Sequence, residues 1–395
     1  MSGLLAWLLS AVALVILLPV LVLFVQVLMA CLPARPPALS NGPRARVAVL
    51  VPAHDEASGI AATLDDIIPQ LLDDDRLLVV ADNCSDDTAA LARAAGAEVV
   101  ERQHAQLRGK SYAVDFGVRH LAINPPHVVI VIDADCQVGE GAIDRLARCC
   151  TATARPVQAL YLMRAPVGAG LKLQIAEFAW RVKNLVRPRG WARLGLPCQL
   201  MGSGMAFAWR DLARVDVASG HLAEDLKLGL DLCRDGKPPV FCEAALISSQ
   251  FPSSDEGQAA QRTRWEHGHL GVLLADAPKL LLSALVRRKG KLLAMALDLL
   301  VPPLALLVLV LAGFCAVAWL AAALLGLWFA ALVATLAVVL LGSAVLLAWW
   351  RFCRERLPFA VLLYAPCYAA KKVPLYLGFL IRRQVEWVRS KRDDS

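Results

Sequence analysis

Three patterns of hydrophobic and polar positions divide this chain. From Leu4 to Cys31, 28 residues pass without a charge, and from Leu299 to Trp350 another 52. About 20 apolar residues cross a bilayer core. The first run therefore predicts one membrane helix. The second predicts two, joined by a tight link near Gly326, with Pro302-Pro303 kinking the first of the pair. Leu357 to Ile381 is also apolar, but Lys371-Lys372 cut it into runs of 14 and 9 residues. Such lengths suit re-entrant or interfacial segments. Ala277 to Lys291 sets Leu280, Leu281, Leu282 and Leu285 beside Lys279, Arg287 and Arg288, the pattern of a surface helix.

Between these regions strand and helix periods alternate. After a Pro-rich linker over 32–45, Arg46–Ala53 (RVAVLVPA) reads as a buried strand and Ile60–Leu72 has helical spacing. Leu77–Ala81, Glu98–Glu101 and Val128–Ile132 read as strands; Asp86–Ala95 and Lys110–Leu121 read as helices. This alternation predicts an α/β fold, with a Rossmann-like, mostly parallel sheet covered on both faces. The resulting plan is a membrane helix (1–31), the linker, one cytoplasmic domain (46–271) and interfacial helices (272–298). Two membrane helices (299–350) and a re-entrant or interfacial segment with a basic tail (351–395) complete it.

Composition agrees. The chain is 58% hydrophobic and only 19% charged, which excludes disordered, collagen-like and purely soluble readings. The net charge of +7 sits almost wholly at the end: after Trp350 there are ten Lys/Arg and four Asp/Glu. A basic tail beside apolar segments suits an anionic membrane surface, not a nucleic acid. The eleven cysteines are odd in number and form no C-x-x-C pair, so reduced thiols are expected, not a zinc site or a disulfide framework. Nothing basic precedes the first span, whereas Arg35, Arg44 and Arg46 follow it and Arg351, Arg354 and Arg356 follow the pair. The amino terminus is thus expected outside and residues 32–290 in the cytoplasm.

In parallel sheets of this kind ligands bind beyond the carboxyl ends of the strands. Three strand ends there carry acids: Pro52-Ala53-His54-Asp55-Glu56, then Asp82-Asn83-Cys84-Ser85-Asp86-Asp87, then Asp133-Ala134-Asp135. One such end is ordinary turn chemistry. Three together call for a cation or a polar ligand. Hard divalent cations take carboxylate oxygens and substrate phosphates, which makes Asp133 and Asp135 the candidate metal residues. No P-loop or dinucleotide glycine motif is present.

With these residues in view, the chain resembles membrane-bound family 2 glycosyltransferases of the GT-A fold, near the synthases of exopolysaccharides, cellulose, chitin oligomers and hyaluronan. The resemblance spans roughly Arg46–Gly271 and rests on five ordered stations: VPAHDE, ADNCSDDT, DAD, Ala223-Glu224-Asp225, and Q-R-T-R-W over Gln261–Trp265. It implies that Pro52, Ala53, Asp55, Glu56, Asp82, Lys110 and Asp133 contact a nucleotide-sugar donor, and that Asp135, with Asp133, ligates Mg²⁺ or Mn²⁺. It implies Asp225 as general base, with Gln261, Arg264 and Trp265 holding the donor diphosphate and lining the acceptor end. Gly202, Ser203, Gly204 and Glu224 fall on the acceptor side. Asp55, Ala223 and Asp115 depart from the residues common in relatives, though none removes a charged catalytic group.

The chemistry fits these roles. Departure of a nucleoside diphosphate builds negative charge, which a metal and Arg264 can stabilise, and a carboxylate must take the proton of a weakly nucleophilic hydroxyl. One direct displacement inverts the anomeric centre. The expected donor is a UDP-sugar and the expected acceptor lipid-linked or a glycan, at a bacterial-type inner membrane, with membrane lipids and polysaccharide-assembly proteins as partners. Single and processive transfer both stay open. Rival readings are an inactive scaffold of an assembly complex, a ceramide-glucosyltransferase-like enzyme, a transporter and a nucleotidyltransferase. A transporter predicts ionisable residues inside its spans; Leu299–Trp350 has none. His54, Cys84 and Cys136 read as bystanders, and His267 and His269 as acceptor-side or membrane-surface residues.

Overall fold

The structure is a computed structural model and describes residues 2–218, 220–252 and 254–381. The basic tail expected beyond Ile381 lies outside the described residues. Eight strands are described: β1 (Val47–Ala53), β2 (Arg76–Asp82), β3 (Glu98–Arg102), β4 (Val128–Val131), β5 (Gln137–Val138), β6 (Val157–Arg164), β7 (Met205–Ala208) and β8 (Val240–Gln250). The helices run from α1 (Ser2–Ala30), α2 (Ile60–Ile67), α3 (Thr88–Ala94), α4 (Lys110–Leu121) and α5 (Ala142–Thr153) to α6 (Leu171–Arg181), α7 (Arg187–Arg193), α8 (Trp209–Leu212) and α9 (Glu224–Arg234). They continue with α10 (Asp255–Val286), α11 (Gly290–Leu299), α12 (Leu304–Leu325), α13 (Trp328–Phe352), α14 (Phe359–Leu362), α15 (Ala365–Ala370) and α16 (Val373–Ile381).

The chain divides into two units. The sheet unit holds Arg35–Pro166 and Leu196–Val272. Its strand order is β3-β2-β1-β4-β7-β6-β8-β5. β1 pairs in parallel with β2 and β4, and β2 with β3, the half legible in the sequence. β7 runs antiparallel to both β4 and β6, so the sheet is mixed beyond β4. All of VAVLVPA in β1 is buried, as a central strand covered on two faces requires. Helix α2 buries Ile60, Thr63, Leu64 and Ile67, one stripe at helical spacing. Leu50, Leu78, Val114, Leu121 and Phe207 share one core cluster between sheet and helices.

The helical unit holds residues 1–34, Val167–Gly195 and 273–383. Residues Val167–Gly195, inside the expected 46–271 domain, cluster with the helical unit, and with them α6 and α7. Their attachment is tight. A Cβ on Gly190 of α7 would stand 2.0 Å from the carbonyl oxygen of Gln26 in α1, an approach open only to glycine. A buried polar cluster seals it. Arg187 donates to Gln26 Oε1 (3.2 Å) and Asp298 Oδ1 (2.9 Å), while Gln26 Nε2 donates to Asp298 Oδ1 (2.6 Å).

Helices α1, α12 and α13 meet through alanines, among them Ala13, Ala318, Ala322, Ala330, Ala331 and Ala334. Their large residues, including Trp7, Val15, Leu320, Leu324 and Leu332, point outward and are exposed. Small residues inside and large apolar residues outside are the pattern of helices packed in lipid. Among the described residues four helices are long and apolar enough to cross a membrane: α1 from Gly3, α10, α12 and α13.

One further expectation changes. Pro302-Pro303 separate α11 from α12 instead of kinking one span, because two successive prolines remove two helix donors. The boundary expected at 271/272 lies one residue from the division between the units, at Val272/Leu273, inside the continuous helix α10. From His267 to Val286 that helix carries only Asp276 and Lys279 as charges, so its apolar half continues the same helix. Residues 357–381 form the three short helices α14 to α16, and Gly326, at φ +72°, closes the α12–α13 link.

Candidate active site

The first two stations are stitched together at the ends of β1 and β2. Asp55, in left-handed backbone (φ +50°), accepts from Ser85 N (2.6 Å). Glu56 N donates to Thr88 Oγ1 (2.8 Å) and Ala57 N to Asp86 Oδ2 (3.0 Å). His54 Nδ1 lies 2.6 Å from the Asp82 carbonyl oxygen, a turn role that matches its bystander reading. Pro52 and Ala53 are buried at the end of β1. The Asp82 carboxylate is itself buried and accepts from Arg102 Nη1 at 2.6 Å. Arg102, at the end of β3, was not singled out by any motif.

The third station is the centre of the site. Asp133 follows β4 and forms an ion pair with Lys110, the first residue of α4. Lys110 Nζ also donates to the Gly202 carbonyl (2.7 Å). Burial works against the lysine's charge, but Asp133, Glu224 and Asp225 outweigh it and raise the Lys110 pKa. Gly202 sits at φ +95°, and a Cβ there would stand 3.4 Å from Asp225 Oδ2 and 3.8 Å from Lys110 Nζ. The glycine thus adopts a positive φ open to it alone and keeps the space between Asp225 and Lys110 clear. Burial and the neighbouring Asp225 push Glu224 up to about 7, against the pull of Lys110 and Arg264. Near neutral pH Glu224 is therefore partly protonated and can donate a hydrogen bond.

Asp133, Asp135 and Cys136 offer ligand atoms all within 4.8 Å of one another. The two carboxylates suit Mg²⁺ or Mn²⁺. Burial first, then Asp135 and Asp133, raise the Cys136 thiol well above its ordinary value, which leaves it a protonated bystander. Asp135 Oδ2 accepts from Ser249 Oγ on β8 (3.0 Å), a contact that orients one face of the carboxylate. A second group, Asp55, Cys84 and Asp86, is equally close, but its carboxylates already accept backbone N–H donors of the two turns.

The loop 201–204 is held by Gln158, which is fully buried in β6. Its Oε1 accepts from Met201 N (2.8 Å) and its Nε2 donates to the Ser203 carbonyl (2.8 Å). Ser203 Oγ accepts from Asp133 N (3.1 Å), and Gly204 N donates to the Val131 carbonyl (2.9 Å). One loop thereby joins Gln158 on β6 to Asp133 and the end of β4. Gln158 was missed; its only signal was a lone amide in the apolar strand VQALYLM.

On α10, Gln261 is buried and Arg264 and Trp265 are half-buried, and Arg264 lies close enough to act on Glu224. A Cβ on Gly268 would meet Ala223 at 3.2 Å, so the same helix packs against the residue before Glu224-Asp225. His267 and His269 are buried, not at a surface. The structure thus gathers Lys110, Asp133, Gly202, Glu224, Asp225 and Arg264, with Asp135 beside Asp133. It turns Asp82 toward Arg102 and Asp55 toward Ser85.

Comparison with known proteins gives a consistent result. The mannosyltransferase PcManGT from Pyrobaculum calidifontis, solved with GDP-Man and Mn²⁺, aligns over 97% of this chain and 100% of its own, with a TM-score of 0.59 and 18% identity. At that identity the likeness concerns the fold. The glucosyl-3-phosphoglycerate synthase from Mycobacterium tuberculosis, solved with Mn²⁺, UDP-Glc and phosphoglyceric acid, aligns over 59% of this chain and 86% of its own (TM-score 0.40, 21% identity). No protein of curated function matches. The family model for glycosyltransferase-like family 2 matches residues 43–268, more than half the chain and every station from the first strand end to Gln261–Trp265. On that match, a mixed GT-A sheet with its acids gathered at the strand ends is what this sequence builds, and the chain belongs to glycosyltransferase-like family 2.

Proposed function

We propose that the protein transfers a sugar, with inversion, from a UDP-sugar to a hydroxyl of a lipid-linked or glycan acceptor. The reaction takes place at the cytoplasmic face of a bacterial-type inner membrane, in the synthesis of exopolysaccharide or another cell-surface glycan. The observation that carries the reading is the convergence over Gly202. There Lys110 joins Asp133 of the D-A-D station to the loop whose open side lies 3.4 Å from Asp225 Oδ2.

Asp225 accepts the proton of the acceptor hydroxyl as its oxygen attacks the anomeric carbon. The bond from that carbon to the diphosphate oxygen breaks on the opposite side, and the nucleoside diphosphate leaves with the electron pair. Mg²⁺ or Mn²⁺ held by Asp133 and Asp135 supplies charge stabilisation to the diphosphate when bound. Arg264 serves the same developing charge, its fork matching two phosphate oxygens, with Gln261 and Trp265 beside it on α10. Lys110 orients Asp133 and keeps positive potential between the carboxylates. Pro52, Ala53, Asp55, Glu56 and Asp82 shape the nucleoside end, and Gly202, Ser203, Gly204 and Glu224 the acceptor end. Four apolar helices favour transfer to a lipid-linked acceptor, single or short-range, over a pore-forming processive synthase.

The test is nucleotide release by full-length protein in nanodiscs, with UDP- and GDP-sugars and a membrane lipid extract. Release of UDP from one sugar is expected, abolished by a chelator and reduced about 10²- to 10⁴-fold by Asp225→Asn. Release only from a GDP-sugar would correct the donor. Full activity in Asp225→Asn would remove the assigned base.

A further inference from the structure

At one end of the helical unit an arginine cluster surrounds the last turn of α13. Arg189 donates from Nε to the Ala30 carbonyl (2.9 Å) and from Nη2 to the Leu32 carbonyl (3.3 Å), so it caps the end of α1. Its guanidinium stacks on the Phe352 ring at 5.5 Å, and Arg351 approaches the same ring at 5.7 Å. Arg354 stacks on Trp350 at 5.5 Å. Residues 350–356 line a recess of about 380 Å³. Trp349 braces it from behind: its Nε1 donates to the Leu357 carbonyl (2.7 Å) and its ring meets Phe359 edge-on at 5.2 Å.

The charge of this recess is uncompensated. Arg351, Arg354 and Arg356 are exposed, and among the described residues none of the three forms an ion pair with a carboxylate. Other arginines of the same unit do: Arg181 with Glu177 and Arg187 with Asp298. Among the described residues Glu355 is the sole acid lining the recess. The recess begins where the uncharged runs of α1 and α13 end, with Leu28, Leu346 and Trp350 exposed on their outward sides. Tryptophan and arginine at the end of an apolar helix mark the depth of lipid headgroups. The guanidinium fork of an arginine binds phosphate oxygens in pairs, and Arg351 and Arg354 lie against aromatic rings beside the recess.

We propose that this recess seats the phosphate headgroup of an anionic phospholipid of the bilayer, with its acyl chains against the outward apolar faces of α1 and α13. The assignment rests on reading those helices as membrane spans, which a requirement for detergent in extraction tests separately.

Full-length protein, purified in detergent and delipidated, is titrated with phosphatidylglycerol and phosphatidylcholine and read by native mass spectrometry. Phosphatidylglycerol is expected to bind at least tenfold more tightly than phosphatidylcholine. Arg351→Gln with Arg354→Gln is expected to lower phosphatidylglycerol affinity at least tenfold. Arg287→Gln with Arg288→Gln removes the same charge from the exposed turn after α10 and is expected to change it less than twofold. Should the first double variant fail to fold, Arg354→Gln alone, whose guanidinium stacks on Trp350, is expected to cost at least threefold. Equal losses in both double variants would reduce the effect to diffuse charge and overturn the site. So would equal affinity for the two lipids, or full displacement by inorganic phosphate at matched concentration. Binding of a polyprenyl diphosphate at least tenfold more tightly than phosphatidylglycerol would assign the recess to a substrate lipid instead.

Discussion

The core of the sheet unit and the seam between α1, α12 and α13 are built from different residues. In the sheet unit the core is Val, Leu, Ile and Phe, with Leu50, Leu78, Ile130 and Phe207 fully inside. In the seam the buried cluster is alanine, and large residues such as Leu320, Leu324 and Leu332 stand outside. Water explains the first, since burying a large apolar side chain is worth about 1.5–3 kcal/mol. In lipid that incentive is absent, and close backbone approach decides which residue faces a neighbour. Polar groups invert as well. In the sheet unit Lys110, Asp133 and Asp225 converge around Gly202. In the helical unit Gln26, Arg187 and Asp298 are buried and satisfy one another.

Breaking that buried cluster should have the largest effect on stability. Arg187→Ala leaves Asp298 and Gln26 without their shared donor and is expected to cost about 3–5 kcal/mol, read as a fall in melting temperature in detergent. The triple change Arg187→Met, Asp298→Leu, Gln26→Leu is expected to recover most of it. Next, Leu50→Ala in the sheet core is expected to cost about 2–5 kcal/mol by its cavity, whereas Leu320→Ala on the outer face of α12 should cost almost nothing in the same assay. Equal costs would show that α12 does not face lipid. Ala331→Leu at the alanine seam is expected to cost about 1–3 kcal/mol by overpacking; a stabilising result would refute close packing there.

A pH dependence sharpens the comparison at the site. Glu224 is pushed up to about 7 in the fold from an ordinary carboxyl value of 4.5. Between those values the folded protein holds a proton that the unfolded chain has released, so stability falls as pH rises through this window. The slope is at most about 1.4 kcal/mol per pH unit. Glu224→Gln is expected to flatten it, measured as melting temperature against pH with a chelator present. An unchanged slope would mean that the proton sits elsewhere.

The outer elements of both units were legible because their signals are local. Uncharged runs marked α1, α12 and α13, and β-branched runs marked β1, β2 and β4. Pro302-Pro303 end the helical run where the pattern predicts a kink, since two missing donors in succession follow the helix formed by Gly290–Leu299. Residues 167–195 were assigned to the sheet domain because they lie between its strands in sequence. Their allegiance depends on Arg187 reaching Gln26 and Asp298, contacts across 161 and 111 residues that no local period encodes, and on Gly190 against Gln26.

By itself the sequence determined the alternation of strands and helices up to Ile132, the apolar spans, the acids at the strand ends and the five stations, because these depend on neighbours a few positions apart. The tertiary structure alone decided the sheet order beyond β4, the pairing of Asp82 with Arg102 and the role of Gln158 as the clamp of loop 201–204. It also placed Asp225 across Gly202 from Lys110. Each depends on groups from distant parts of the chain meeting at hydrogen-bond distance, and that distance is set by how helices and strands pack, not by the period of any one of them.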